Sequence, residues 1–425
     1  MTPALSPLRG VFVPPGDKSI SHRALMLGAI AGGQSRIQGR LRAGDVDHTV
    51  SVLAQLGVSV QEAGEDLLVQ GEGRFVSPEQ PLDAGSSATT VRLMAGLLAP
   101  YACEVTFTGS RSLRSRPMAR IFTPLAQMGI TWEGLERAGC LPIRMCGGRL
   151  RGQEFSLGVA SAQVQAGLLL AALGADGETL VRLPRPVRDH TTRMLVHLGV
   201  ELTVHAPGVV SLRGGQTIAP FTLRVPGDAS SAAFVGVAAA MLPGSDVEIR
   251  DVGLNPGRIG WLSVLERMGA DVSISQDGEW SGEPVGRVRI RARSLRGTEI
   301  SAAEVPGLID ELPILSMAAA VAEGSTRVSG AEELRVKESD RIQTICAGLT
   351  ALGVRVETAD DGFQVFGRPA GVDGGRVDAA NDHRIALAFS VLSLRAGDHV
   401  ALRGRETVRD SFPDFFRVLE RLHDG

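Results

Sequence analysis

Short polar runs carry most of the residues able to do chemistry, and cations recur in them. They are Lys18-Ser19 with Arg23, Ser86-Ser87, Arg116, Ser161 with Gln163, Arg188-Asp189-His190, Asp310-Glu311, Lys337-Glu338 with Arg341, and Asp382-His383-Arg384. Each run stands at the start of a stretch with helical periodicity. A helix start offers unpaired N–H groups and partial positive charge. Ser and Asp there are ordinary caps. Lys and Arg there oppose the helix dipole, so capping does not account for Lys18, Arg116, Lys337 and Arg384. Fixed cations at helix starts suit phosphate and carboxylate ligands, and the Arg fork matches both. The competing reading is a solvated ion network at a helix start, which uses the same residue types.

A repeat must position these runs. The phrase Leu-x-x-(Leu/Met)-Gly recurs at Leu53–Gly57, Leu125–Gly129, Leu195–Gly199, Leu265–Gly269 and Leu349–Gly353. A worn sixth copy, Leu419 to Leu422, closes the chain. The period is about 70 residues, the mark of a repeated supersecondary unit. Each phrase predicts a helix ending at a glycine, followed by a strand such as Val58-Ser59-Val60. A second helix type opens near Lys18, Ser86, Ser161, Ala229, Asp310 and Asp382 and continues in small apolar residues. It is apolar nearly all round, which predicts burial among neighbours. Equivalent helix ends in repeated units can converge on one site.

Bulk composition excludes several classes. At 425 residues, 44% hydrophobic and 21% charged, the chain is globular and long enough for two or three cores. Net charge of −3 and 4% aromatics argue against nucleic-acid binding. Cys103, Cys140, Cys146 and Cys346 lack metal or redox spacing and read as buried thiols in a reducing cytoplasm. There is no signal-peptide pattern and no apolar run long enough to span a membrane. The chain has no Walker loop (Gly16-Asp17-Lys18-Ser19 lacks its length), no dinucleotide fingerprint, no His-Glu-x-x-His and no serine elbow. A lone His22 or His197 reads as structural, whereas His383 stands between Asp382 and Arg384.

Two Pro-Gly pairs, at Pro15-Gly16 and Pro226-Gly227, suit hinges near 14–16 and 225–228. The expected domains are 16–226 and 1–15 plus 227–425, each with three repeats.

Five segments carry a family resemblance. They are Asp17-Lys-Ser-Ile-Ser-His-Arg23, Ser112-Leu-Arg-Ser-Arg-Pro-Met118, Val225-Pro-Gly-Asp-Ala-Ser-Ser-Ala-Ala-Phe234, Leu334-Arg-Val-Lys-Glu-Ser-Asp-Arg341 and Asn381-Asp-His-Arg-Ile-Ala386. In this order, over essentially the whole chain, they resemble the enolpyruvylshikimate-phosphate synthase family. The resemblance implies a two-domain inside-out α/β barrel of six βαβαββ units, closing over its substrates. It implies transfer of the enolpyruvyl group of phosphoenolpyruvate to shikimate 3-phosphate with release of phosphate, in aromatic amino acid biosynthesis. It implies a monomer with no cofactor and no metal. Shikimate 3-phosphate would be held by Lys18, Ser19, Arg23, Ser161, Ala162, Gln163, Asp310 and Lys337. Phosphoenolpyruvate would meet Lys18, Ala88, Arg116, Gln163, Arg341 and Arg384. Asp310 would take the hydroxyl proton and Glu338 exchange the methylene proton, with Lys18 and His383 assisting.

The chain departs from the family pattern in four places. Ala88 stands where a glycine usually lies against phosphoenolpyruvate. Together with Ser161-Ala162-Gln163 it is similar to the glyphosate-insensitive class, so weak inhibition by glyphosate is expected. Val187 replaces a serine before Arg188, Asp410 a lysine before Ser411, and Ser110 an acidic residue after Gly109. Two alternatives remain: the sister UDP-N-acetylglucosamine enolpyruvyl transferase, and a non-catalytic binder of phosphorylated metabolites. The sister family has a Lys-Asn start and a loop cysteine, and Gly109 to Arg116 holds no cysteine.

Overall fold

The computed structural model describes residues 7–424. They divide into two compact units. One comprises residues 16–226 and 279–283, and the other residues 7–15, 227–278 and 284–424. Each has its own hydrophobic core. Residues 279–283 include the turn between the strands Asp271–Trp280 and Glu283–Arg291.

The helices, numbered along the chain, fall into two main sets. The phrase-bearing set is α2 (Gly44–Gln55), α5 (Ala119–Met128), α7 (His190–His197), α9 (Gly260–Arg267) and α12 (Arg341–Ala351). The small-residue set is α1 (Lys18–Ile30), α3 (Ala88–Leu98), α6 (Ala162–Ala172), α8 (Ala229–Met241), α11 (Leu312–Ala320) and α13 (His383–Leu392). Two short helices, α4 (Arg111–Ser115) and α10 (Val305–Leu308), and a last one, α14 (Phe415–Asp424), complete the series.

The repeated phrase is a helix stop. Gly57, Gly129, Gly199, Gly269 and Gly353 all have positive φ, between 76° and 136°. After each glycine the next N–H reaches back to the leucine carbonyl, as from Val58 to Leu53 and from Val354 to Leu349, both 3.0 Å. The glycine N–H bonds one residue further on, Gly57 to Ala54 at 3.0 Å. This is the Schellman closure, which needs a residue tolerant of left-handed backbone. Leu53 and Val58, the two apolar positions flanking that turn, are both buried. A strand follows every time, starting at Ser59, Thr131, Leu202, Asp271 and Arg355.

The small-residue helices are interior. All of α8 is buried, as are ten consecutive residues of α1. Small residues let backbones meet: a Cβ on Gly96 of α3 would lie 2.0 Å from the Gly167 carbonyl oxygen of α6. Strands cover these helices, with residues buried alternately, as in Asp66–Gly71. Within each unit, therefore, these helices lie inside and the sheets outside.

Five four-stranded sheets share one neighbour order. In the first, Thr222–Arg224 runs parallel to Gly33–Gln38, which pairs antiparallel with Asp66–Gly71, which pairs antiparallel with Ser59–Ala63. Arg9–Phe12, from the start of the chain, runs parallel to Asp246–Gly253. The sixth copy is reduced. It holds the parallel pair Gly375–Asp378 and Val400–Arg403, and ends in α14 without a further antiparallel pair among the described residues. Cys146 is half-buried rather than buried; the other three thiols are buried. No helix among the described residues is long and apolar enough to cross a membrane.

Candidate active site

In the unit containing residues 16–226, Lys18 is the first residue of α1. Asp17 caps that helix, accepting from the Ile20 N–H at 2.9 Å. Lys18 Nζ pairs with Asp45 at 2.9 Å, in the first turn of α2. Arg23 is buried one turn further into α1. Its Nε donates to Thr191 Oγ1 of α7 at 2.7 Å, and Nη1 to the Ser19 carbonyl at 2.8 Å. Two cations are thereby fixed within the opening turns of one helix, against the dipole. The cost of placing them there is offset by Asp45 and Thr191.

Ser161 caps α6 and Ala162 is its first residue. Gln163 Oε1 accepts from Arg92 Nη1 at 2.5 Å, and its Nε2 donates to Thr89 Oγ1 at 2.8 Å. Arg92 Nη2 donates to the Pro117 carbonyl at 3.1 Å, next to Arg116. Ser87 caps α3, whose first residue is the buried Ala88. Ser110 caps α4 and lies 3.0 Å from Ser86 across the hydroxyls.

In the other unit the charged side chains gather on Asp310, just ahead of α11. Its Oδ1 lies 3.7 Å from Arg341 Nη1 and 3.6 Å from Arg384 Nε, and its Oδ2 lies 3.6 Å from Arg258 Nη1. Arg384 Nη1 also donates to the Asp310 carbonyl at 3.1 Å. Arg341 is 1% exposed. Its Nε and Nη2 form a fork on Asp382, at 2.8 and 3.2 Å, and Nη2 also bonds Glu338. Burial alone would lower the Arg341 pKa; the carboxylates of Asp382 and Glu338 outweigh it and hold the pKa above its ordinary value. Asp382 also caps α13, accepting from the Arg384 N–H at 3.0 Å. His383 is the first residue of α13 and is buried.

Two positions differ from the sequence expectation. Arg116 follows α4 and stands three residues ahead of α5, and Lys337 follows the 3-10 turn Glu332–Val336, four residues ahead of α12. Both have extended backbone, so neither is in a helical first turn. Pro117 explains the first case, since it disfavours helical backbone in the residue before it. Of the cations in these runs, Lys18 opens α1 and Arg341 opens α12, and Arg384 is the second residue of α13.

Sequence reasoning missed four partners. Asp45 and Arg92 lie inside segments that read as ordinary helix. Thr191 follows a run that was noticed, but its bond to Arg23 spans 168 residues. Arg258 lies in the loop Asn255-Pro256-Gly257-Arg258, which carries no helix-start signal of its own.

Phosphate-ready cations and a carboxylate ringed by arginines fit a transferase acting on anionic substrates. The family described as EPSP synthase (3-phosphoshikimate 1-carboxyvinyltransferase) matches residues 3–419. This chain belongs to that family. It is 47% identical to the 3-phosphoshikimate 1-carboxyvinyltransferase of Halorhodospira halophila over 422 residues, 98% of this chain and 94% of the relative. The Xylella fastidiosa enzyme of the same name is 46% identical, over 96% of this chain and 90% of the relative. The fold is similar to that of an EPSP synthase from Acinetobacter baumannii, with TM-score 0.86, 39% identity, and 98% and 96% of the two chains covered. The enolpyruvyl transferase NikO from Streptomyces tendae is similar in fold alone, with TM-score 0.79 and 18% identity over 98% and 95% of the chains. The chain is an enolpyruvyl transferase with the two-domain α/β fold of that group.

Proposed function

We propose that this enzyme transfers the carboxyvinyl group of phosphoenolpyruvate to the 5-hydroxyl of shikimate 3-phosphate, with release of phosphate. Full-length membership of the family supports the reaction. The observation that carries the division of roles is Asp310 set against three arginines.

The reaction adds a hydroxyl across the enol double bond and then eliminates phosphate. The hydroxyl gives its proton to Asp310 as oxygen bonds to the enol carbon. Glu338 protonates the methylene, giving a methyl group. In the second step the carbon–phosphate oxygen bond breaks and the methyl group returns a proton to Glu338. Lys18 and His383 stabilise charge on the departing phosphate or pass it a proton. Lys18, Arg116, Arg341, Arg384 and Gln163 hold phosphoenolpyruvate, with Ala88 against it. Lys18, Ser19, Arg23, Ser161, Ala162, Gln163, Asp310 and Lys337 hold shikimate 3-phosphate. Arg forks suit both carboxylate and phosphate. The protein acts as a cytoplasmic monomer without metal or organic cofactor.

The test is phosphate release with both substrates, with each alone, and with a chelator present. Release that requires both and survives the chelator is expected. Release with UDP-N-acetylglucosamine in place of shikimate 3-phosphate, or none from folded protein, overturns the proposal. Asp310→Asn should reduce kcat by at least about a hundredfold if that carboxylate is the base.

A further inference from the structure

Asp310 has three cationic neighbours, but only two of them belong to the substrate set. Arg341 and Arg384 would turn part of their charge to phosphoenolpyruvate. Arg258 differs. It comes from the loop ahead of α9, is 4% exposed, and is tied inward. Its Nη2 pairs with Asp228 at 3.0 Å and donates to Ser230 Oγ at 2.7 Å. Ser230 in turn donates to Glu311, the residue after Asp310. Asp228 is itself fixed, capping α8 by accepting from the Ser230 N–H at 2.8 Å. The guanidinium is thus oriented by two groups on α8, and its other nitrogen, Nη1, lies 3.6 Å from Asp310 Oδ2. Glu311 is fully buried, and burial raises its pKa, with Asp310 adding to the rise and Arg258 and Arg384 opposing it.

A buried carboxyl beside a reacting carboxylate has no place in the chemistry above. It makes sense as the end of a chain, Arg258 to Ser230 to Glu311. We propose that Arg258, oriented by Asp228 and by the Ser230–Glu311 pair, is the positioning residue that holds the Asp310 carboxylate while Arg341 and Arg384 engage substrate. A planar fork fixed at one side presents its other nitrogen in one direction only, which lysine cannot do. The inference rests on reading Asp310 as the proton acceptor.

The experiment uses the full-length enzyme with Arg258→Lys, Arg258→Gln, Ser230→Ala and Asp310→Asn. Melting curves are recorded beside kcat, both KM values, and kcat against pH. Arg258→Lys should lower kcat about tenfold or more, within the range set by a displaced general base. Both KM values should stay within about threefold, since a positioning residue acts on the transition state rather than on uniform binding. Arg258→Gln removes a cation facing Asp310, so the acid limb of the kcat profile should move to higher pH. Arg341, Arg384 and Glu311, which also face Asp310, are unaltered in that variant. Ser230→Ala, which deletes one hydroxyl, should change kcat in the same direction by less, and it decides the matter if the Arg258 variants do not fold. Unchanged kcat and pH limb in folded protein overturn the proposal, even where melting temperature falls. So does a raised KM with kcat intact, which would make Arg258 a substrate ligand. An active Asp310→Asn enzyme would instead sink the reading of Asp310 itself.

Discussion

Arg92 and Gln163 are joined by a 2.5 Å hydrogen bond that links α3 to α6. The same guanidinium donates to the Pro117 carbonyl at 3.1 Å, beside Arg116. One buried arginine therefore sets two groups proposed to contact phosphoenolpyruvate. The amide of Gln163 is held at both ends, Oε1 by Arg92 and Nε2 by Thr89, which fixes its orientation for the contact proposed.

Arg92→Lys keeps the charge but cannot reach both acceptors at once. We expect the KM for phosphoenolpyruvate to rise about tenfold, with a smaller change in kcat, as for an interaction made equally in ground and transition states. An unaltered KM in a variant that melts normally would show that Gln163 does not depend on this clamp.

Ala88 is the first residue of α3 and is buried. A glycine there would open the space of one methyl group. We expect glyphosate to bind weakly because of that methyl, so Ala88→Gly should tighten the inhibition constant by at least about tenfold, equivalent to 1.4 kcal/mol. The comparison is steady-state inhibition of wild type and variant at one phosphoenolpyruvate concentration. Equal inhibition constants would place the cause elsewhere.

The scaffold was more legible than the site because its signals are local. The Schellman closure spans six residues and needs a leucine, a glycine and an apolar residue at set places, so the phrase survives in five copies. Burial of the second helix type follows from composition alone. The reduced sixth copy was harder, since Leu419 and Leu422 resemble the phrase without its glycine. Lys18 and Arg384 stood out because cations rarely open helices; Arg116 and Lys337 stood out on the same ground, although neither lies in a helical first turn. Arg258 did not, because a lone arginine in a Pro-Gly loop looks like surface. Only the fold brings it to Asp310, 52 residues on. Asp45 was hidden in the same way, as one more acidic residue in a helical first turn.

Gly96 tests the close approach of interior helices. An added Cβ would lie 2.0 Å from the Gly167 carbonyl oxygen and 2.5 Å from its carbon, both backbone atoms. Backbone cannot rotate away as a side chain can, so α3 and α6 must separate. Gly96→Ala should cost about 1–3 kcal/mol or more, the usual scale for overpacking. Gly158→Ala is the control, since its Cβ would meet nothing within 4 Å. Chemical denaturation should separate the two; equal midpoints would refute the contact.

His22 gives the molecule a specific acid sensitivity. It is completely buried, with Nδ1 2.7 Å from Thr49 Oγ1, itself 2.8 Å from Thr90 Oγ1. Burial lowers its pKa from 6.5 to about 3; Asp45 opposes this, and Lys18 and Arg23 reinforce it. The unfolded chain takes up the proton near 6.5, the folded one only near 3. Between those values the unfolded state binds more protons, so stability falls as pH falls. The slope from this one group approaches about 1.4 kcal/mol per pH unit. Above pH 6.5 it contributes no pH dependence, and below pH 3 its effect is complete. Carboxylates add their own acid dependence, so the diagnostic quantity is a difference between proteins. His22→Asn keeps an N–H donor near the Nδ1 position and has no proton to gain. Its unfolding free energy, measured by denaturant at several pH values, should fall less steeply than that of wild type between pH 6 and 4. Parallel curves would mean that the folded protein accepts a proton at His22, and that the buried hydroxyl chain around it opens to water.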